Sequence, residues 1–580
     1  MNIFKASRLD AIYRRFRSSE FAFGTTLAII VGIAAGLGAV FFRWLIGVFT
    51  QLFFGGGANV LSFLGHYYVI LIPVVGGLII GPIIYFTGAF ETKGHGVPEV
   101  MEAVTAEGGR IRARVAAIKT LASSICIGSG GSVGREGPIV QIGSTIGSIL
   151  GQRFHLSQEW MKTLVACGAA GGISATFNAP IAGVFFAHEI ILGRILTRHF
   201  GFVVISSVIA SVIAHAALGN LQTFSVPTYT LNSYWELPLY FVLGAICALI
   251  GVLFIRTLYK TEDIFDALKI PEYVKPALGG IAIGLIGLYS PYLFGVGYDG
   301  VEQALLGKIG LISLVALLFL KILATSFTLG SGGSGGIFAP SLFMGAMLGG
   351  TFGDVANRFL PNIAAQSGAY ALVGMAAVFS AAARAPITAI IILFEMTRDY
   401  AIILPLMLAV VVSTLIAYRL SRESIYTLKL SRRGIAIRQP EEADLLEKVT
   451  VQEVMTRDFP TVPADMTFTQ IADKFAKSKH HGFPVVDKDG HLKGMITLAD
   501  VESQMDVESR KLTVADIATT SLITAYPDES LRDVVQRLGT KEVGRLPVID
   551  RKDPSRLIGV LRRYDIVKAY TKAISKLGKF

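Results

Sequence analysis

Charge is scarce in this chain. Only 16% of its 580 residues are Asp, Glu, Lys or Arg, and the mean hydropathy is +0.58, which excludes an ordinary soluble globular protein. Cysteine is scarcer: Cys126, Cys167 and Cys247 all sit among apolar neighbours. An odd count in such places excludes a disulfide framework and reads as packing. The opening segment does not read as a secretory signal. Arg8, Arg14, Arg15 and Arg17 are interleaved with Ile12, Tyr13 and Phe16 ahead of the first apolar run, a pattern that predicts an amphipathic helix at a membrane interface over 1–19.

What the chain has instead is length without charge. The runs 201–219 and 401–418 contain no Asp, Glu, Lys or Arg and are long enough to span hydrocarbon. The charge that exists is unevenly spread. Residues 441–580 hold 22 Lys+Arg and 22 Asp+Glu, which leaves 53 − 22 = 31 basic and 42 − 22 = 20 acidic residues in 1–440. A neutral, charge-rich tail thus follows an apolar domain carrying the whole +11. The excess cations flank apolar runs: Arg419, Arg422, Lys429, Arg432, Arg433 and Arg438 follow the last one. The expectation is an integral, multi-pass membrane protein with N-terminus and tail cytoplasmic, and no nucleic-acid partner.

Inside the apolar domain one stretch breaks the pattern. "GSGGSVGREGP" (128–138) holds Arg135 and Glu136 in a segment too glycine-rich for an ordinary helix, and "GSGGSGGIFAP" (330–340) repeats it at an offset of 202 with seven of eleven positions identical. A second echo pairs 168–189 with 374–395 at an offset of 206, matching Pro180 with Pro386 and Glu189 with Glu395. Two matches at nearly one spacing imply duplicated halves, about 20–200 and 235–430, an architecture of transporters with a site near mid-membrane. The tail is duplicated as well: "FPVVDKDGHLKGMITLADV" (483–501) resembles "LPVIDRKDPSRLIGVLRRYDI" (546–566).

Irregular backbone survives at membrane depth only inside protein or beside water. Three segments, "GHGVPE" (94–99), "GREGP" (134–138) and "GGIFAP" (335–340), each run from glycine into a proline-started helix and contain no lysine. Free N–H groups at the positive end of a helix dipole suit an anion. A site made of dipoles also releases its ion readily, as conduction requires. An intramembrane carboxylate such as Glu136 is functional by default. A phosphate-cradling loop is excluded, because no Gly-Lys-Ser/Thr follows the motif. The glycines of 168–175 read as close helix packing.

Together "GREGPIVQIG" (134–143), "GGIFAPSLFMG" (335–345), "GHGVPE" and "SIYTLKL" (424–430) resemble the CLC family of chloride channels and chloride/proton exchangers, and the tail resembles its paired CBS domains. The resemblance spans about 20–570. It implies an all-α polytopic membrane domain with broken helices and inverted repeats, followed by a cytoplasmic α/β CBS pair. The expected limits are 1–19 for the interfacial helix, 20–430 for the membrane domain, 431–447 for a linker, and 448–506 and 511–572 for the CBS domains. It further implies a homodimer with one chloride path per subunit and no required cofactor. Glu136 is then the gating glutamate, a tethered anion released when it takes a proton. Backbone or side-chain groups of His95, Gly96, Arg135, Gly137, Ile337, Phe338, Ala339 and Tyr426 line the anion path.

Two positions depart from that family pattern. His95 stands where the family usually has serine, adding a titratable imidazole. Ile190 stands at the usual proton-relay position of exchangers. Glu189 beside it cannot substitute, since one residue turns a side chain about 100° around a helix. These features favour a passive or weakly coupled chloride channel over a chloride/proton antiporter. Two distant classes fare worse. In "HEIIL" (188–192) Leu192 replaces the second histidine of a zinc protease. A CBS-bearing Mg²⁺ transporter needs carboxylates along its path, and the membrane half is acid-poor. In the tail, "GMITLAD" (494–500) resembles the nucleotide pattern of CBS domains, which implies adenine-nucleotide contacts (ATP, ADP or AMP) through Thr497 and Asp500. In the second unit Asp565 remains but Arg562 replaces the hydroxyl residue, and a dimerising scaffold without ligand is the favoured alternative. His480 and His481 read as a solvated pair near a helix end.

Overall fold

The computed structural model describes residues 20–57, 62–194, 199–219, 229, 233–435, 449–478, 480–504, 512–540 and 544–577. The expected interfacial helix over 1–19 and most of the linker lie outside them. Two compact units divide the chain, Met1–Ile437 and Arg438–Phe580.

The first unit is helical, and its helices fall into two matching series. The first runs α1 (Glu20–Thr50), α2 (Tyr68–Thr87), α3 (Val97–Thr105), α4 (Arg114–Gly128), α5 (Glu136–Arg153), α6 (Gln158–Phe177), α7 (Pro180–Phe186) and α8 (Phe200–Leu218). The second runs α9 (Leu237–Ala267), α10 (Lys275–Gly287), α11 (Tyr298–Leu305), α12 (Leu311–Gly330), α13 (Phe338–Phe359), α14 (Ser367–Ala383), α15 (Pro386–Thr397) and α16 (Ile403–Leu420), with α17 (Thr427–Arg432) closing the unit. Among the described residues six helices are long and apolar enough to cross a membrane. Several others, α3 and α11 above all, are far too short to do so.

The halves are inverted. Helix α7 continues through a π-helical turn, Ala187–Ile191, and there Glu189 accepts from the amides of Ile387 (3.1 Å) and Thr388 (2.8 Å) at the start of α15. Near the end of α15, Glu395 accepts from the amides of Ile181 (3.0 Å) and Ala182 (2.7 Å) at the start of α7. Each helix begins with a proline whose turn leaves donors unpaired, and each takes its cap from the far end of the other. Two repeat-related helices that cap one another head to tail run antiparallel. Glycine sets the packing of the neighbouring pairs. A Cβ on Gly143 of α5 would overlap the carbonyl oxygen of Gly168 in α6, and Gly345 and Gly374 repeat that contact between α13 and α14. Gly168 therefore does the close-packing work expected of it.

The second unit holds two similar sheets. Strand β1 (Val462–Pro463) is parallel to β2 (Gly482–Val486), which is antiparallel to β3 (Leu492–Thr497); β4 (Arg545–Ile549) is antiparallel to β5 (Leu557–Arg562). Registers repeat: Gly482 faces Thr497 as Arg545 faces Arg562, with bulges at Val485/Val486 and Val548/Ile549. An amphipathic helix precedes each hairpin, α18 (Phe468–Lys477) and α20 (Leu531–Thr540), and another follows, α19 (Leu498–Glu502) and α21 (Arg563–Leu577). The sequence reading of His480 needs correction. Its ring packs edge-on to Phe459 (5.1 Å) and Phe483 (5.8 Å), because the chain turns from α18 into a buried strand there.

Candidate anion site

The three glycine segments meet. Gly94 bridges Ser334 in parallel, and Gly134 bridges Gly336 antiparallel, so the loop ahead of α13 joins those ahead of α3 and α5. Gly94 N–H donates to Gly333 O (2.9 Å), while Gly134 and Gly336 exchange bonds of 2.7 and 2.6 Å. Such proximity requires bare backbone. A Cβ on Gly137 would overlap the His95 carbonyl oxygen, and Gly96 has φ +83° with Gln141 Oε1 2.9 Å from where its Cβ would stand. Ile337, Phe338 and Ala339 open α13, where first-turn amides lack intrahelical acceptors. The Phe338 ring is wedged against Phe177 (5.0 Å) and Phe379 (4.3 Å).

Glu136 opens α5 and is 1% exposed. Its Oε1 accepts from the Tyr298 hydroxyl at 2.6 Å. Its Oε2 lies over Gly134, whose Cβ would overlap it and stand 3.2 Å from the Ala339 amide nitrogen. The carboxylate is thus held where an anion would meet the start of α13. Tyr298 was not legible as a partner, being 162 residues away. The buried His95 ring faces Tyr426 at 5.9 Å, and its Nδ1 has no hydrogen-bond partner. Tyr426 is pinned through Ile425, whose amide donates to Ala382 O (2.9 Å) and whose carbonyl accepts from Tyr259 (2.6 Å). Arg135 diverges from the group: its guanidinium lies over the Tyr298 ring at 5.3 Å.

The loops contain no lysine, but lysines stand behind them. Buried Lys119 of α4 donates to the carbonyls of Thr92 (3.1 Å) and Gly94 (2.8 Å). Lys321 of α12, also buried, donates to Leu293 (3.3 Å) and Gly295 (3.2 Å), in the segment leading to Tyr298. The two are 202 residues apart, the same offset as the motifs, so extending the repeat alignment backwards would have found them. Lys429 of α17 and Arg433 just past its end meet the buried Glu99 at 3.0 and 3.1 Å. Cations read as flanking a span therefore also fasten α17 to α3.

Ile190 is 5% exposed within the apolar core. Next to it, both Glu189 oxygens are spent on α15, and His188 Nδ1 lies 2.9 Å from Val184 O. A zinc-protease pair would need these groups free.

In the tail Thr497 and Asp500 form a capping box on α19, with Thr497 N–H and Oγ1 both donating to Asp500 Oδ2 (2.8 and 2.7 Å). Asp565 is occupied differently. Arg562 grips it through Nε and one terminal nitrogen, both at 2.8 Å, and these bonds raise the guanidinium pKa above its ordinary value. The two expected nucleotide half-sites are therefore unlike.

Residues 76–418 match the family described as voltage gated chloride channel, and 451–505 and 514–572 each match the CBS domain. The chain is 29% identical to chloride channel protein CLC-f of Arabidopsis thaliana, covering 87% of this chain and 74% of that one. It is 31% identical to the voltage-gated ClC-type chloride channel ClcB of Citrobacter koseri, covering 69% and 97%. A crystal structure of a slow cyanobacterial Cl⁻/H⁺ antiporter superposes with a TM-score of 0.65 at 28% identity, covering 71% of this chain and 97% of that one.

Proposed function

The chain belongs to the voltage gated chloride channel family, integral membrane proteins of anion transport, and we propose that it passes chloride through a path gated by Glu136, passively or with weak coupling to protons. The observation that carries the passive reading is Ile190. It leaves no titratable group at the relay position, and Glu189 is committed to capping α15. Chloride/proton exchange is the second reading, favoured by the intact Glu136 and by the likeness to a solved antiporter. Purified protein in liposomes separates the two. A chloride gradient is imposed, voltage is set by valinomycin, and external pH is followed. We expect chloride to leave with no sustained uphill proton movement. A fixed proton-to-chloride ratio, lost in Glu136→Gln, would establish the exchanger.

The amides of Ile337, Phe338 and Ala339, the backbone at Gly96 and Gly137, and the Tyr426 hydroxyl hold the anion in this reading, with His95 facing Tyr426. Tyr298 is the latch. Its hydroxyl stabilises the seated carboxylate, and a hydrogen bond to a charged group contributes about 1.5–3 kcal/mol. Tyr298→Phe is therefore expected to raise chloride flux at neutral pH by about tenfold, read in the same liposomes. Unchanged flux removes the latch.

The protein works as a homodimer in the bilayer, with N-terminus and tail cytoplasmic by the placement of cations. The mass of the solubilised protein and protease access to the tail in oriented vesicles check these points. Adenine nucleotides, ATP, ADP or AMP, bind the tail at Thr497 and Asp500, with Asp565 already held by Arg562. Flux that does not change with millimolar nucleotide would leave the tail a scaffold.

A further inference from the structure

A cavity of about 110 Å³ lies on the Tyr298 side of Glu136, lined by Arg43 of α1, Arg135, Asn178 and His215 of α8 among others. No acidic residue lines it. Arg43 and Arg135 form no ion pair with a carboxylate among the described residues, and Arg135 Nε is buried without a hydrogen-bond partner. Glu136, next to Arg135 in the chain, is already held by the Tyr298 hydroxyl. Asn178 sits at the end of α6 with φ 55°, its Oδ1 accepting from Ser211 at 2.8 Å, so its acceptor face is turned to Ser211. Two guanidinium groups sharing one cavity repel each other unless something of opposite charge lies between them. Room for one water needs about 10–15 Å³ on this measure, so the space takes an ion larger than chloride.

We propose that this cavity is a second anion site, distinct from the helix-start site, that binds a tetrahedral oxyanion dianion of the sulfate or phosphate kind between Arg43 and Arg135. Guanidinium forks match the paired oxygens of such ions, and chloride offers no such pair. Two fixed cations match a dianion in charge. An ion held there lies over Tyr298 and covers the approach to Glu136, so it inhibits. The oxyanion comes either from solution or from a lipid headgroup, since α1 exposes Arg43. The inhibitory role rests on the chloride-transport reading, whereas binding does not.

Binding is read first, by thermal unfolding of the full-length, lipid-free protein in detergent with sodium sulfate against sodium chloride at matched ionic strength. Sulfate stabilises proteins non-specifically, so the quantity is the difference between wild type and Arg43→Gln. Wild type should show a saturable rise. In Arg43→Gln the half-saturating concentration should be about tenfold higher, the loss of one charge-assisted contact, with Arg43→Lys in between. Curves that are identical in wild type and Arg43→Gln with sulfate and with the lipid below alike overturn the site. A parallel arm uses dihexanoyl phosphatidic acid: a shift with it and none with sulfate assigns the oxyanion to lipid, and a shift with sulfate assigns it to solution. Sulfate added to one side of a planar bilayer should then reduce chloride current from that side alone. Equal block from both sides overturns the inhibitory role, while absence of any chloride current overturns the transport reading and leaves the binding result intact.

Discussion

Glu136→Ala is expected to abolish the dependence of chloride flux on external pH. In the wild type the carboxylate occupies the start of α13 as a bound anion, with Tyr298 donating to it. A proton removes its charge and, with it, the reason to stay at a site built for anions. Flux therefore rises as pH falls. Alanine leaves nothing to titrate and nothing to displace, so flux should be high at every pH. The gain at neutral pH should exceed that of Tyr298→Phe, which removes one donor and keeps the competing anion. Efflux from liposomes across about pH 3.5 to 8, bracketing ordinary carboxylate and imidazole titrations, reads this directly. If Glu136→Ala retains the wild-type pH profile, the gate lies elsewhere.

Glu189→Ala should act on stability, with no effect on coupling. The side chain accepts from two amides and the Thr388 hydroxyl. Its loss strands the first donors of α15 in an apolar setting, at a cost of about 2–4 kcal/mol from a lost cap and charge-assisted bonds. Glu395→Ala should do the same to α7. The double variant should cost less than the two singles combined, because the same two helices are loosened in each case. Unfolding of the detergent-solubilised protein supplies the stabilities, and the liposome assay supplies the proton-to-chloride ratio. A changed ratio at unchanged stability would make Glu189 a relay in place of Ile190.

The parts of this molecule that were legible in its sequence are those where backbone demands a residue type. The glycines at 96, 134 and 137, the prolines that start α7 and α15, and a carboxylate in an oily run all leave local marks. Those marks picked out the three loops one by one, and the family resemblance alone put their residues on one path. The direction of the second half left no such mark. It rests on Glu189 and Glu395 reaching across to the opposite helix, and each looks, in its own segment, like a residue adjoining an apolar stretch. Tyr298 was illegible for the same reason. Its partner lies on another chain segment, and hydrogen bonds across the fold have no period to read. Arg135 shows a further limit: motif membership places its backbone beside the other loop residues but not its side chain, which turns towards Arg43 and Tyr298.

An inverted duplication, left alone, would build a pore with interchangeable ends. Here the interchange fails in charge, since Arg135 and Glu136 in one half correspond to Ile337 and Phe338 in the other. One motif carries the proton-responsive group and its neighbouring guanidinium, and the matching positions of the other carry only Ile337 and Phe338. Acidification of the two compartments is then not equivalent, and current through the protein should rectify in the direction set by the more acidic side.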